Sequence, residues 1–291
     1  MFTATLIGEA LTRGDLPGAC DRLAAAGCAP VDARWIDEGV AADVAFAAHP
    51  AAARTALEGA FAATDVIVQP SATRRKALLI ADMDSTMITV ECIDELADYA
   101  GIKAEVSAVT EAAMRGELDF EGALDARVAL LEGLSEDVIA QCLAERVTIM
   151  PGAKALVRTM RANGGHAVLV SGGFTRFAEP VAAEIGFDRA IANVLLIEDG
   201  RLTGKVAKPI VGSATKEETL RRTLAERAID PALSLAVGDG ATDLAMIGAA
   251  GLGVAYHAKP IVAAAAAARV DHGDLTVLLY AQGYKRNARA D

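Results

Sequence analysis

Two aspartates two residues apart, Asp82 and Asp84, close the apolar run at residues 77–81. Ser171, followed by Gly172 and Gly173, closes a second run at 167–170, and Gly238-Asp239-Gly240-Ala241-Thr242-Asp243 closes a third at 233–237. These residue types suit the handling of a phosphoryl group. A carboxylate can attack phosphorus directly and carry the group as an acyl phosphate. Attack on a dianion needs a cation, and Mg2+ prefers carboxylates, waters and phosphate oxygens. Asp82, Asp239 and a backbone carbonyl would form such a site, with Asp243 holding a metal-bound water. Any one of these aspartates alone reads as an ordinary turn or cap residue. Three such sets, each behind an apolar run, point to one site.

Short apolar runs ended by polar, glycine-rich turns read as buried strands of a parallel sheet, and ligands of open α/β sheets bind beyond the carboxyl ends of the strands. From residue 76 onward strand and helix alternate, which predicts a doubly wound, Rossmann-like α/β core. Residues 88–150 break the alternation. They read as helical throughout, with Asp119 as an N-cap and Phe120, Leu124, Val128 and Leu131 along one face. That is too long for a crossover and predicts an inserted helical cap, leaving 76–87 and 151–291 as the core. Glu198-Asp199-Gly200 predicts a hairpin turn. Thr215 with Glu218 forms a capping box, so a helix should begin there with Lys216 in its first turn, a poor place for a cation. The alanine run at 263–268 reads as helix. Residues 1–72 form a separate unit in the order β-α-β-β-α-β, a small α+β ferredoxin-like arrangement. Residues 70–76, polar and basic, read as the linker.

Composition narrows the class. A formal charge of −11 argues against nucleic acid as a partner. It also means that a phosphate site needs local positive charge or a metal ion. Cys20, Cys28, Cys92 and Cys142 fit neither a paired framework nor a metal knuckle and read as free thiols of a reducing compartment. His49, His166, His257 and His272 are too scattered to suggest a metal cluster. The start of the chain has no basic segment and contains Glu9, and no apolar stretch is long enough for a bilayer; the expectation is a cytoplasmic protein without membrane contact.

The three motifs with Lys216 resemble the haloacid dehalogenase-type phosphatases. The likeness extends through Glu91, the stretch 119–131 and the closing Ala255-Tyr256-His257-Ala258-Lys259-Pro260 to the phosphoserine phosphatase family. It covers residues 76–283. The resemblance implies Asp82 as the nucleophile and Asp84 as proton donor and acceptor. It implies Mg2+ held by Asp82, Asp239 and the backbone carbonyl of Asp84, with Asp243 behind. Ser171, the amide of Gly172 and Lys216 would hold the phosphoryl group. Arg127 would bind the carboxylate of O-phosphoserine and Glu91 its ammonium, with Met114 and Phe120 closing the pocket. The bland readings are a solvated helix residue for Arg127, an acidic surface run for Glu91 with Asp94, Glu95 and Asp98, and plain core for Phe120. Thr242 stands where the family has Asn, which replaces an amide's donor pair by a hydroxyl at a contact to substrate. Two alternatives stay open: a related phosphatase or phosphotransferase acting on another small phosphoester such as phosphohomoserine, and a regulatory protein with an inert phosphatase part. The N-terminal unit is ACT-like in element order only, so homodimer formation, stabilisation and amino-acid sensing are equal candidates for its role.

Overall fold

The computed structural model describes the whole chain apart from the side chain of Met114, residues 115–116 and Asp291. Its first part is the expected β-α-β-β-α-β unit: β1 (Phe2–Ile7), α1 (Asp15–Ala25), β2 (Pro30–Asp37), β3 (Ala41–Phe46), α2 (Pro50–Leu57) and β4 (Asp65–Pro70). The strands form an antiparallel sheet in the order β2-β3-β1-β4. Because side chains alternate across a strand, Ala4, Leu6, Val44, Phe46 and Val66 pack with Ala19, Leu23, Ala53 and Leu57 of the two helices. The other face is also covered. Ile7, Ala41 and Ile67 belong to the same buried cluster as Leu275, Val277, Leu278 and Ala281 near the end of the chain.

Polar groups tie that second face down. The Asp65 carboxylate, 3% exposed, accepts from the backbone N–H groups of Asp271 (2.7 Å), His272 (3.1 Å) and Gly273 (2.7 Å). Gln69 donates to the carbonyl of Ala281 at 2.8 Å, and Arg74 grips Asp43 through two nitrogens at 2.7 and 2.9 Å.

The second part is built on β5 (Leu78–Ala81), then α3 (Cys92–Tyr99), α4 (Lys103–Met114), α5 (Phe120–Ala129), α6 (Asp137–Arg146) and α7 (Ala153–Ala162). There follow β6 (His166–Phe174), α8 (Thr175–Ile185), β7 (Arg189–Asn193), the hairpin β8 (Leu195–Glu198) and β9 (Arg201–Val206), and α9 (Ser213–Glu226). The chain continues with β10 (Ser234–Gly238), α10 (Leu244–Ala249), β11 (Leu252–Tyr256), α11 (Pro260–Ala265), β12 (Ala268–Val270) and α12 (Val277–Ala281). Six strands form one parallel sheet in the order β12-β11-β10-β5-β6-β7. Leu78–Ala81 of β5 are fully buried, as strands covered by helices on both faces should be. The doubly wound α/β fold is therefore present, with an antiparallel sheet before it. Helices α3 to α6 fill the stretch expected to be helical. Asp119 caps α5, accepting from the N–H of Gly122 at 2.7 Å. Among the described residues no helix is long and apolar enough to cross a membrane.

Two local expectations need correction. Helix α9 starts at Ser213, two residues before Thr215, and its N-cap is Gly212. Thr215 does reach back, accepting the N–H of Gly212 at 3.5 Å through its hydroxyl. A Cβ at Gly212 would lie 3.1 Å from the Phe120 ring, so packing against α5 selects glycine there over a better capping residue. The alanine run also does not continue as helix: α11 ends at Ala265, and Ala268, Arg269 and Val270 pair with Val254, Ala255 and Tyr256 as an edge strand. An open edge of β11 supplies a ladder of backbone hydrogen bonds that a small difference in helix propensity cannot outweigh.

Candidate active site

Register brings the three motifs together. In the sheet Ala81 lies opposite Val237 on one side and Leu169 on the other, so Asp82, Gly238 and Val170 come to lie side by side. This is the carboxyl edge at which α/β sheets bind ligands, and β5 lies where the connections turn to opposite sides of the sheet. Asp82 ends its strand with its N–H on the carbonyl of Val237 at 3.0 Å, while its Oδ1 accepts the N–H of Met83 at 2.8 Å. Ser85 then takes a positive φ of 53°, a tight turn that sends the chain back towards Glu91. The Ser85 hydroxyl donates to Glu91 Oε1 at 2.7 Å, and the N–H of Cys92 donates to Asp84 Oδ1 at 3.2 Å.

Lys216 reaches this edge from the first turns of α9 and is 1% exposed. Its Nζ lies 2.7 Å from Asp82 Oδ1 and 2.6 Å from Asp243 Oδ1. Burial alone would lower the lysine pKa, but the two carboxylates outweigh it and hold the ammonium above its ordinary range. Asp243 Oδ2 in turn accepts the N–H of Gly240 at 3.0 Å. A Cβ on Gly238 would occupy the place of the Asp243 carboxyl, which is why glycine must stand there.

Asp82, Asp239 and Asp243 each present a carboxylate oxygen within 4.8 Å of the other two. Asp239 is fixed by the Thr86 hydroxyl, which donates to its Oδ1 at 3.2 Å, and its carbonyl accepts the N–H of Lys259 at 3.1 Å. Burial, then the charges of Glu91 and Asp243, push Asp239 up to about 6. Burial, then Glu91, push Asp84 up to about 7. Asp82 is raised by burial despite Lys216 beside it. This crowded, desolvated negative charge exceeds what one lysine neutralises. A hard divalent cation among these oxygen donors fits both the ligand type and the missing charge.

Above the carboxylates is a cavity of about 110 Å³ bordered by Asp82, Asp84, Glu91, Phe120, Arg127, Gly172, Lys216 and Thr242. Eight of the residues singled out in the sequence thus share one space. Ile93, Leu124, Gly173 and Phe174 border it too. Arg127 is half-buried; its Nε donates to the carbonyl of Ala123 at 3.2 Å, and burial lowers its pKa against the pull of Asp94, Glu91 and Asp84. Phe120 rests on two glycines: a Cβ at Gly172 or Gly212 would lie 3.2 or 3.1 Å from its ring. Ser171 is fully buried beneath the cavity, its hydroxyl accepting the N–H of Gly173 at 2.8 Å. Asp239 and Asp243 stand behind the cavity with the carboxylate cluster. The Met114 side chain lies outside the described residues.

One positioning residue has no motif to announce it. Asn193, 2% exposed at the end of β7, donates to the carbonyl of Gly172 at 2.8 Å and accepts the N–H of Val211 at 2.7 Å. It joins the end of β6 to the segment entering α9. A buried amide with both ends satisfied was the only clue, and it requires the fold to be seen.

Comparison with known proteins agrees with this geometry. The family model of haloacid dehalogenase-like hydrolase matches residues 79–248. A phosphoserine phosphatase of Streptomyces coelicolor is 46% identical over 237 residues, 80% of this chain and 58% of that one. A phosphoserine phosphatase of Albidiferax ferrireducens is 48% identical over 207 residues, 69% of this chain and 87% of that one. The crystal structure of a probable phosphoserine phosphatase from Vibrio cholerae superposes with a TM-score of 0.80 at 33% identity, covering 98% of this chain and 88% of that one. The chain spans less than two thirds of the length of the Streptomyces relative. With three motifs at one sheet edge, a lysine locked between two of their aspartates and relatives of this similarity, the chain belongs to the haloacid dehalogenase-like hydrolases and, within them, to the phosphoserine phosphatase family.

Proposed function

We propose that the chain hydrolyses O-phospho-L-serine to L-serine and phosphate, the last step of the phosphorylated route to serine. The observation that carries the reading is the cluster of Asp82, Asp239 and Asp243, two of them paired with Lys216, beside a cavity that also holds Arg127 and Glu91. Asp82 attacks phosphorus and becomes an aspartyl phosphate. Asp84, held near 7, is protonated in part at neutral pH and gives its proton to the leaving serine oxygen; it then takes one from the water that hydrolyses the acyl phosphate. Lys216 balances the phosphoryl charge and favours the ionised form of Asp82. Ser171 and the amide of Gly172, near the end of β6, hold phosphoryl oxygens.

Mg2+ is the cation we assign. Asp82, Asp239 and the Asp84 carbonyl would hold it, with Asp243 behind, and when bound it offsets charge on the phosphoryl oxygens. Arg127 suits the substrate carboxylate, since a planar guanidinium binds it bidentately, and Glu91 suits the ammonium. Thr242 replaces the family's amide with a hydroxyl and leaves room for a water at that contact. Residues 1–72 are taken as an ACT-like unit, 88–150 as the cap and the remainder from 76 as the core. Four free thiols suit a reducing cytoplasm.

The test is Asp82→Asn, which keeps shape and removes the nucleophile. Turnover of phosphoserine should vanish while the circular dichroism spectrum and the unfolding transition survive; retained turnover would end the assignment. A panel of phosphoesters including phosphohomoserine, with and without EDTA, separates the substrate from the chemistry.

A further inference from the structure

Two opposite charges border one small cavity without meeting. Glu91 and Arg127 both line the space above the carboxylates, and Glu91 acts on Arg127 through its charge. Neither forms an ion pair with the other, or with any other described residue. Each is tied down from elsewhere. The Arg127 Nε donates to the carbonyl of Ala123, one turn earlier in α5, at 3.2 Å, which leaves its two terminal nitrogens without a partner among the described residues. Glu91 is exposed; its Oε1 accepts the Ser85 hydroxyl at 2.7 Å, and its Oε2 makes no hydrogen bond to a described residue.

The side chain at 85 suits that contact better than it suits its own turn. The φ of 53° lies in the left-handed region, where glycine sits without strain and asparagine with little. The turn does not need the hydroxyl to close. The N–H of Ser85 donates to the carbonyl of Val90 at 3.2 Å, and the N–H of Cys92 donates to Asp84 Oδ1 at 3.2 Å. These bonds use the backbone of Ser85 and Cys92, and they return the chain beside Asp84 whatever side chain stands at 85. What the hydroxyl adds is the direction of one carboxylate. Glu91 is the N-cap residue of α3, with a long side chain of several rotamers and an opposite charge across the cavity to draw it in.

We propose that Ser85 is a positioning residue for substrate recognition: its hydroxyl holds Glu91 off Arg127 and so keeps open the gap that takes the ammonium and carboxylate of an α-amino acid. This rests on the assignment of O-phospho-L-serine as the substrate. Without the tether Glu91 can pair with Arg127 in the empty protein, and every substrate molecule must break that pair before it binds. The penalty falls on a zwitterion alone, because an ester with neither charge needs neither side chain.

Ser85→Gly is the test, since glycine takes the left-handed turn at least as well and deletes only the hydroxyl. Steady-state kinetics should show KM for phosphoserine raised about tenfold, the loss of one hydrogen bond to a charged group, with kcat changed by less than about twofold. For p-nitrophenyl phosphate, which carries neither charge, KM and kcat should each change by less than about twofold. In a Glu91→Gln background the same substitution should add less than about twofold, because the charge it directs is gone. Phosphoserine is also measured as a competitor of p-nitrophenyl phosphate, which reads its affinity whether or not it is turned over. Wild-type protein that binds phosphoserine without hydrolysing it would end the assigned reaction, and the tether would then stand or fall on a tenfold rise in that inhibition constant. An unchanged affinity for phosphoserine in Ser85→Gly would overturn the proposal. So would an equal loss on p-nitrophenyl phosphate, a full tenfold effect in the Glu91→Gln background, or wild-type protein that does not bind phosphoserine.

Discussion

Replacing Lys216 by Met keeps the length of the stem and deletes the cation between Asp82 and Asp243. Both ion contacts are short, at 2.7 and 2.6 Å, and the lysine is 1% exposed, so the two carboxylates lose their partner in a desolvated place. Breaking a buried pair from one side costs about 3–5 kcal/mol. Asp82 borders the catalytic cavity and can take up water, which favours the lower figure, about 3 kcal/mol. For a chain of this length that lowers Tm by roughly 6 °C. The sign of the pH effect can be worked out. Lys216 has a raised folded pKa, so its own charge is constant below its unfolded value near 10.5 and creates no slope at neutral pH. The slope comes from the carboxylates. Without the lysine they hold protons to higher pH in the folded state than in the unfolded chain, so stability falls as pH rises through that window. The deficit should be small near pH 4.5 and largest near pH 8. Thermal unfolding of both proteins in EDTA across that range is the assay. An equal Tm loss at both ends, or none at pH 8, would refute the assignment of Lys216 as the counter-charge of this cluster.

Other outcomes are expected on the same grounds. The metal-free protein should lose stability between about pH 4 and 7, because Asp239 and Asp84, at about 6 and 7, bind protons more tightly folded than unfolded. Adding Mg2+ should flatten that slope in urea unfolding, and an unchanged slope would count against a cation at the cluster. Arg127→Ala should lower kcat/KM for phosphoserine about 10- to 100-fold, the loss of a charged hydrogen-bonded contact, and change p-nitrophenyl phosphate turnover by less than about threefold. Equal losses on both would remove Arg127 from carboxylate recognition. Asp65→Ala strands three backbone N–H groups and should cost about 3 kcal/mol of stability; calorimetry showing no change would mean that water replaces the carboxylate without penalty.

The parts of the molecule legible in the sequence are those whose physics is local. Leu78 to Ala81 must be apolar throughout because both faces of that strand are covered, and Asp82, Asp84, Ser85 and Thr86 are polar because the strand ends at a ligand edge. Asp119 announces α5 through its own capping bond. What escaped depends on contacts between residues far apart in the chain. Ala268 to Val270 become a strand only because β11 presents an edge, and Gly212 replaces Thr215 as the first cap because Phe120 needs the space. Asn193 and Asp65 look like any polar residues until their partners, Gly172 and Val211 in one case and residues 271–273 in the other, are seen in place.

Phe120 has a consequence beyond closing a pocket. Its ring presses on Gly172, near the end of β6, and on Gly212, the N-cap of α9. Those two glycines belong to separate crossovers, so one ring from α5 sets how closely the end of β6 and the start of α9 can approach each other. Shortening the side chain at 120 would free both backbones at once and loosen the border of the cavity that Phe120 and Gly172 share.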